Sequence, residues 1–232
     1  MYLVYKCTEY SVVLVSEGEN MEPIKGNRIE RKKEETKKKI IAVAMDLFHK
    51  HGFDQTTIDQ IAMEVDIAKG TIYNHFSVKE AIISEYIYRT FKEETPALTH
   101  LLQQLPDTRS RLISLFRKSL EWVEFEFDKN LYKKYFAYRM QTFEQSFRGQ
   151  SLRSGFNIIL GQIIDMGQQA EEIRKDVPTE VLAHQLESIH SFMVAAWLAI
   201  PESFSVEERI TWNVDLFING AKEQGEKRIT KS

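Results

Sequence analysis

A single cysteine, Cys7, stands in 232 residues, so neither an internal disulfide nor a multi-cysteine metal site can be built. So few thiols fit a reducing compartment, and the cytoplasm is the expected location. Five prolines and ten glycines are few for this length, which argues against sandwiches and barrels that interrupt the chain every ten residues or so. No uncharged apolar run reaches the eighteen or so residues of a membrane span, and the best stretch, Phe192 to Ile200, is about half that. What the chain does have is 43% hydrophobic and 28% charged residues, enough for a core and too apolar for a disordered protein. An all-α fold is expected.

Charge of one sign is also lacking: 31 Lys and Arg against 34 Asp and Glu leave a net −3. The total hides a segregation. Residues 25 to 39 carry eight cations (Lys25, Arg28, Arg31, Lys32, Lys33, Lys37, Lys38 and Lys39) against Glu30, Glu34 and Glu35, while beyond Phe91 the balance turns acidic. Affinity for a polyanion therefore belongs to the front of the chain. Ahead of it, Val12 to Val15 form a short apolar run with one preceding lysine and no small-residue cleavage pattern, which does not make a secretory leader. It reads as a frayed strand or tail, or as residues ahead of a true start at Met21.

From Glu34 onward apolar residues fall on helical spacing. Ile40, Ile41, Ala44, Leu47 and Phe48 trace a first helix that Gly52 stops; Thr56-Thr57 offers an N-cap for a second, carrying Ile58, Ile61, Ala62 and Val65. After the turn Asp66-Ile67-Ala68, a third short helix runs from Lys69 to Asn74, and a fourth opens near Ser77 with Glu80 completing a capping box. Five longer helices follow: Pro106 to Phe127, Leu131 to Phe147, Ser151 to Arg174, Pro178 to Ile200, and Ser205 to about Gln224. The expectation is about nine helices, no strands and no repeat. The expected organisation is a tail and basic arm at 1–33, a three-helix N-terminal domain at 34–80, and a helical bundle at 81–232.

Two short helices joined by a tight turn, with small Ala62 permitting a close steep crossing and Ile67 and Ile72 as wedges, describe a helix-turn-helix or, at its blandest, a helical hairpin. Lys69, Thr71, Tyr73, Asn74 and His75 on the second of them, with Lys79 and Thr57 nearby, are groups that meet phosphates and base edges. The strings Thr57-Ile58-Asp59-Gln60-Ile61-Ala62, Ile67-Ala68-Lys69-Gly70-Thr71-Ile72-Tyr73-Asn74-His75-Phe76 and Ser77-Val78-Lys79-Glu80-Ala81 resemble the DNA-binding domain of the TetR family of transcriptional regulators. The likeness covers about residues 35 to 85. It departs at Asp66, where the family often has Gly, and at Ala68, where Ser often caps the recognition helix.

The resemblance implies a homodimeric repressor that reads double-stranded DNA at a palindromic operator and is controlled by a small-molecule effector bound in the C-terminal helices. Physically, Gly70 lets backbone approach the groove floor, and Lys69 and Thr71 are candidates for base edges. Tyr73, His75 and Lys79 suit phosphates, as does the Thr57 amide at a helix start. Tyr73 and Phe76 are equally readable as core aromatics, Phe76 especially. Lys37 and its neighbours either form a solvated face or lie along the DNA backbone.

Aromatics crowd the stretch from Phe116 to Phe156, and an aromatic stripe is ordinarily core. Set against Gly155, Gly161 and Gly167, bulky rings can instead leave a cavity. The candidate effector residues are Phe116, Trp122, Tyr135, Arg139, Phe143, Asn157, Gln162 and His190, and an apolar or aromatic effector is expected. The last two helices suit dimerisation through Met193, Ala196, Trp197, Trp212 and Phe217, or else complete a monomer core. No glycine-rich phosphate loop, Cys-His pairing or metal-ligand histidine spacing is present, so no cofactor, metal or catalysis is expected. Two alternatives stay open: the same fold answering to a protein partner, and a helical ligand-binding enzyme.

Overall fold

The computed structural model describes residues 26–142, 155–203 and 205–221. The chain divides into two compact units, Met1–Thr36 and Lys37–Ser232. Of the first, the described part is the opening of helix α1 (Gly26–His51). From Gly26 onward the basic run is thus helical, so that α1 is under way before the expected Glu34. Neither Pro nor Gly interrupts residues 27 to 51, Lys, Arg and Glu are good helix formers, and Arg31 meets Glu35 one turn on at 3.6 Å.

In the second unit, α1 buries Ile40, Ile41, Ala44, Met45 and Phe48 and stops at Gly52, whose φ of 84° only glycine adopts freely. Then come α2 (Ile58–Val65), α3 (Lys69–Tyr73) and α4 (Lys79–Gln103). Helix α5 (Thr108–Glu121) is capped by Asp107, whose carboxylate accepts from the Ser110 N–H at 2.6 Å and is held below its ordinary pKa chiefly by that bond. It ends six residues before the expected Phe127, because the chain widens into a π-helical turn over Trp122–Glu126. Asp128 caps α6 (Lys129–Gln141) by accepting from the Asn130 and Leu131 N–H groups. Helices α7 (Phe156–Gln169), α8 (Thr179–Ala199) and α9 (Val206–Ala221) complete the order, with a short 3-10 turn at Pro201–Ser203.

The described residues hold nine α-helices and no strand, as the periodicity predicts. The expected capping box at Ser77 is not formed. Val78 is the N-cap of α4 and contributes no side-chain bond. In the bundle, α7 packs along α8, α9 against α5, and α4 against both α6 and α7. Two of the three glycines set opposite the aromatics serve contact rather than space: a Cβ on Gly167 would collide with Thr108 Oγ1, and one on Gly155 would sit 2.8 Å from Phe91 Cβ. No helix among the described residues is long and apolar enough to cross a membrane.

Candidate nucleic-acid interface and effector region

Helix α2 opens on a reciprocal cap. The Gln60 N–H donates to Thr57 Oγ1 at 3.1 Å, and the Thr57 N–H donates to Gln60 Oε1 at 2.7 Å. The Thr57 amide expected to meet phosphate is therefore already bonded within the protein. At the other end Asp66 adopts the left-handed conformation, φ 61° and ψ 53°, that glycine usually supplies, and its N–H reaches back to Met63. Aspartate tolerates that geometry, so the turn survives the departure. Ile61, Ala62, Val65 and Ile72 are buried where α2 and α3 cross, and the Lys39 ammonium ties the end of α2 to α1 through the Val65 carbonyl at 2.8 Å. Ala68 precedes α3 without a side-chain cap, but its carbonyl accepts from the Thr71 N–H.

The recognition helix exposes Lys69, Gly70, Tyr73 and Asn74 and half-buries Thr71, whereas Ile72 is its one buried residue. Nothing lies within 4 Å of a Cβ placed on Gly70, so that face is open for an approaching groove. Tyr73 is 49% exposed and Phe76 3%, which resolves the two aromatics into surface and core. His75 is half-buried beside Phe76.

Two expected phosphate ligands are occupied elsewhere. Lys79 donates to the carbonyls of Phe53 at 2.8 Å and Thr56 at 2.6 Å and lies over the Phe53 ring at 4.4 Å. It fastens the α1–α2 loop to α4. Lys37 pairs with Glu85 of α4 at 2.8 Å. The chief residue missed by sequence reading is Asp59, whose carboxylate takes the Lys69 ammonium at 2.7 Å and is the main cause of its raised pKa. No periodicity links positions ten apart; only the turn brings them together. Lys134 of α6 likewise reaches Asp54 of the α1–α2 loop at 2.7 Å.

In the bundle, Phe116 and His190 are buried in ring contact at 4.8 Å, and Phe156 meets the same imidazole at 4.4 Å. The Ser119 hydroxyl donates to the Phe116 carbonyl and sits 2.6 Å from His190 Nε2. A hydroxyl has one proton, so with that proton on the carbonyl the ring is the Nε2–H tautomer and donates to Ser119. Burial pushes His190 down to about 3, keeping it neutral, and pushes the buried Tyr135 hydroxyl up to about 12. An aromatic ladder leads outward from here: Phe156 to Phe91 of α4 at 5.4 Å, Phe91 to Trp122 at 5.7 Å, Trp122 to Phe127 at 4.8 Å, and Phe127 to Tyr86 of α4 at 5.9 Å.

The other expected effector residues are more scattered. Arg139 pairs with Glu187 of α8 at 3.2 Å. Gln162 is exposed and accepts from the Thr99 hydroxyl at 2.5 Å. Asn157 is half-buried with Oδ1 lacking a hydrogen-bond partner, and Phe143 lies outside the described residues.

Helices α8 and α9 carry an apolar outer face on which Phe192 is 64%, Trp212 53% and Leu216 73% exposed. A groove of about 400 Å³ between them is lined by Ile189, Phe192, Met193, Ala196, Arg209 and Asn213 among others. Of the expected interface residues, Ala196 and Trp212 are exposed and Phe217 is half-buried. Met193 is buried at the groove, and Trp197, 5% exposed beneath the Lys129 ammonium, belongs to the protomer's own core. Sequence reading did not single out Phe192, which shares an outer face with half-buried Ile189 and exposed Ala196. Among the described residues no group of His, Cys, Asp and Glu is placed to hold a metal ion.

A tight two-helix unit with an exposed second helix, carried on a helical bundle, is a helix-turn-helix arrangement. Residues 40–86 match the family model for bacterial regulatory proteins of the tetR family. Curated relatives include an HTH-type transcriptional regulator of Bacillus subtilis, YerO, 49% identical over 49 residues that make up 21% of this chain and 17% of the relative. Another is the negative regulator IcaR of the biofilm operon of Staphylococcus aureus, 43% identical over 51 residues, 22% of this chain and 27% of the relative. The chain covers between 17% and 35% of the lengths of the first curated relatives it matches. The fold is shared with Thermus thermophilus FadR, a TetR family transcriptional repressor solved with lauroyl-CoA, at a TM-score of 0.70, 21% identity, 84% of this chain and 100% of the other. Over residues 40–86 the chain is thus similar to bacterial regulatory proteins of the tetR family, and over most of its length it shares the fold of a solved TetR family protein.

Proposed function

We propose that the protein is a cytoplasmic homodimeric repressor that occupies a palindromic operator and leaves it when a small, largely apolar or aromatic effector enters the bundle. The observation that carries this reading is the pairing of an open recognition helix with an apolar face on α8 and α9 that is exposed among the described residues. A palindrome is read by two recognition helices held about one DNA turn apart, and that face is where a second copy would hold them. In support of an apolar effector, the candidate residues Phe116 and His190 sit among rings, and the fold neighbour FadR carries a fatty acyl thioester. The rings touch, so entry must part them.

Parting them would move Phe91 of α4 and also Phe127, which stacks on Tyr86 of the same helix, the one that leads from the front domain. A coupling free energy of about 1–3 kcal/mol between effector and operator would suffice for a switch of 5- to 150-fold. The test is a gel shift on the DNA upstream of the protein's own gene, repeated with a panel of acyl-CoA esters, free fatty acids and phenols. Retarded DNA released by one member of the panel is the expected result. Retarded DNA that no small molecule releases would favour control by a protein partner, and DNA never retarded would refute the reading.

A further inference from the structure

The two reading helices are poor in positive charge. Across α2 and α3 and the turn between them, residues 58–73, the charged residues are Asp59, Glu64, Asp66 and Lys69. Lys69 is therefore the only ammonium the pair can offer to DNA, and it is not idle. It is the first residue of α3, its side chain is 48% exposed, and its ammonium rests 2.7 Å from the carboxylate of Asp59 in the first turn of α2, itself 68% exposed. A surface ion pair of this kind adds little to stability. A carboxylate beside the groove also repels phosphate, so its presence costs general affinity for DNA.

We infer that Asp59 is a specificity-determining positioning residue that keeps Lys69 from binding phosphate indiscriminately and releases it only to a base edge that offers better acceptors. Paired with Asp59, the Lys69 ammonium contributes almost no net attraction to a phosphate backbone, which is the same on every sequence. A guanine presents O6 and N7 together in the major groove, a directed acceptor pair that can replace the carboxylate. At a base without it, Lys69 stays on Asp59. The reading helices are thus electrostatically quiet until the sequence beneath them is right. This inference rests on the DNA-reading function proposed above and adds how that reading discriminates.

The experiment starts with the full-length protein and a random-sequence duplex pool, from which wild type selects a preferred duplex. Affinities for that duplex and for a scrambled one are then measured by fluorescence anisotropy across a salt series for wild type, Asp59→Asn, Glu64→Gln, Lys69→Gln and the double variant Asp59→Asn/Lys69→Gln. With Lys69 freed, Asp59→Asn should bind the scrambled duplex about threefold tighter per protomer, with a salt slope steeper by about 0.9 per protomer, the value of one added phosphate contact. The selected duplex should gain less, so the ratio between the two falls. Glu64→Gln removes an exposed carboxylate of the same helix that is not in the pair, and it should shift both duplexes together with the ratio preserved. In the Lys69→Gln background, Asp59→Asn should leave the ratio unchanged. An Asp59→Asn ratio equal to wild type, or a fall in ratio that persists without Lys69, would overturn the inference while leaving the DNA-reading function standing. A wild-type protein that enriches no duplex would overturn that function itself, and the inference with it.

Discussion

Replacing Lys79 by Met separates two roles that the same lysine could play. Methionine keeps the length and apolar stem but removes an ammonium that donates to the Phe53 and Thr56 carbonyls at 2.8 and 2.6 Å and covers the Phe53 ring at 4.4 Å. A hydrogen bond to a charged group is worth about 1.5–3 kcal/mol net and an exposed cation–π contact about 0.5–1. The Phe53 carbonyl keeps the Thr56 N–H as a partner at 3.3 Å, so the loss is less than two full bonds. We expect about 2–3 kcal/mol, which for a chain of this size lowers Tm by about 4–12 °C. Thr56 precedes the cap of α2, so DNA affinity should fall evenly across sequences while the slope of affinity against salt stays as in wild type. Thermal melting by circular dichroism and salt-series anisotropy read the two effects separately. A variant that melts with wild type but whose salt slope is shallower by about 0.9 per protomer would refute the structural role and restore the phosphate contact suggested by position alone.

Three further outcomes follow from named contacts. Leu216→Glu, in the exposed face of α8 and α9, should weaken self-association by at least about 30-fold, the effect of losing a central 2 kcal/mol anchor, and an unchanged mass in sedimentation equilibrium would count against that face. His190 has a folded pKa depressed to about 3 from the ordinary 6.5, so the unfolded chain binds the proton first. Its contribution is intact above pH 6.5 and is lost as pH falls toward 3, about 2 kcal/mol of it by pH 5, and His190→Gln should flatten the urea-denaturation profile over that window. Gly167→Ala drives a Cβ into Thr108 Oγ1 and to 2.8 Å from Ile173 Cγ1, and should cost about 1–3 kcal/mol in the same denaturation assay; a neutral effect would refute a close α5–α7 contact at this glycine.

The front domain was legible because its signals are local. Thr57 as the cap of α2, Gly52 after Phe48, and Ala62 at the crossing each act within a few residues, and the same local chemistry gives the TetR likeness its specific strings. The bundle was legible as helices but not in its details. Periodicity says which side of a helix is apolar, not which apolar side faces a neighbour and which faces outward. Trp197 and Phe192 lie five apart on α8, yet one is core and the other surface. The widening of the helix at Trp122–Glu126 has no sequence period at all.

The sequence by itself determined an all-helical chain with its cations gathered ahead of a helix-turn-helix, since propensity, capping and apolar spacing are properties of neighbouring residues. Tertiary structure alone decided where the long charged side chains end. Lys37, Lys69, Lys79 and Lys134 each have a partner at least ten residues distant, in Glu85, Asp59, the Phe53–Thr56 loop and Asp54. A lysine on a helix sweeps a wide arc on a flexible stem, and only packing against another element says which acceptor stands within it.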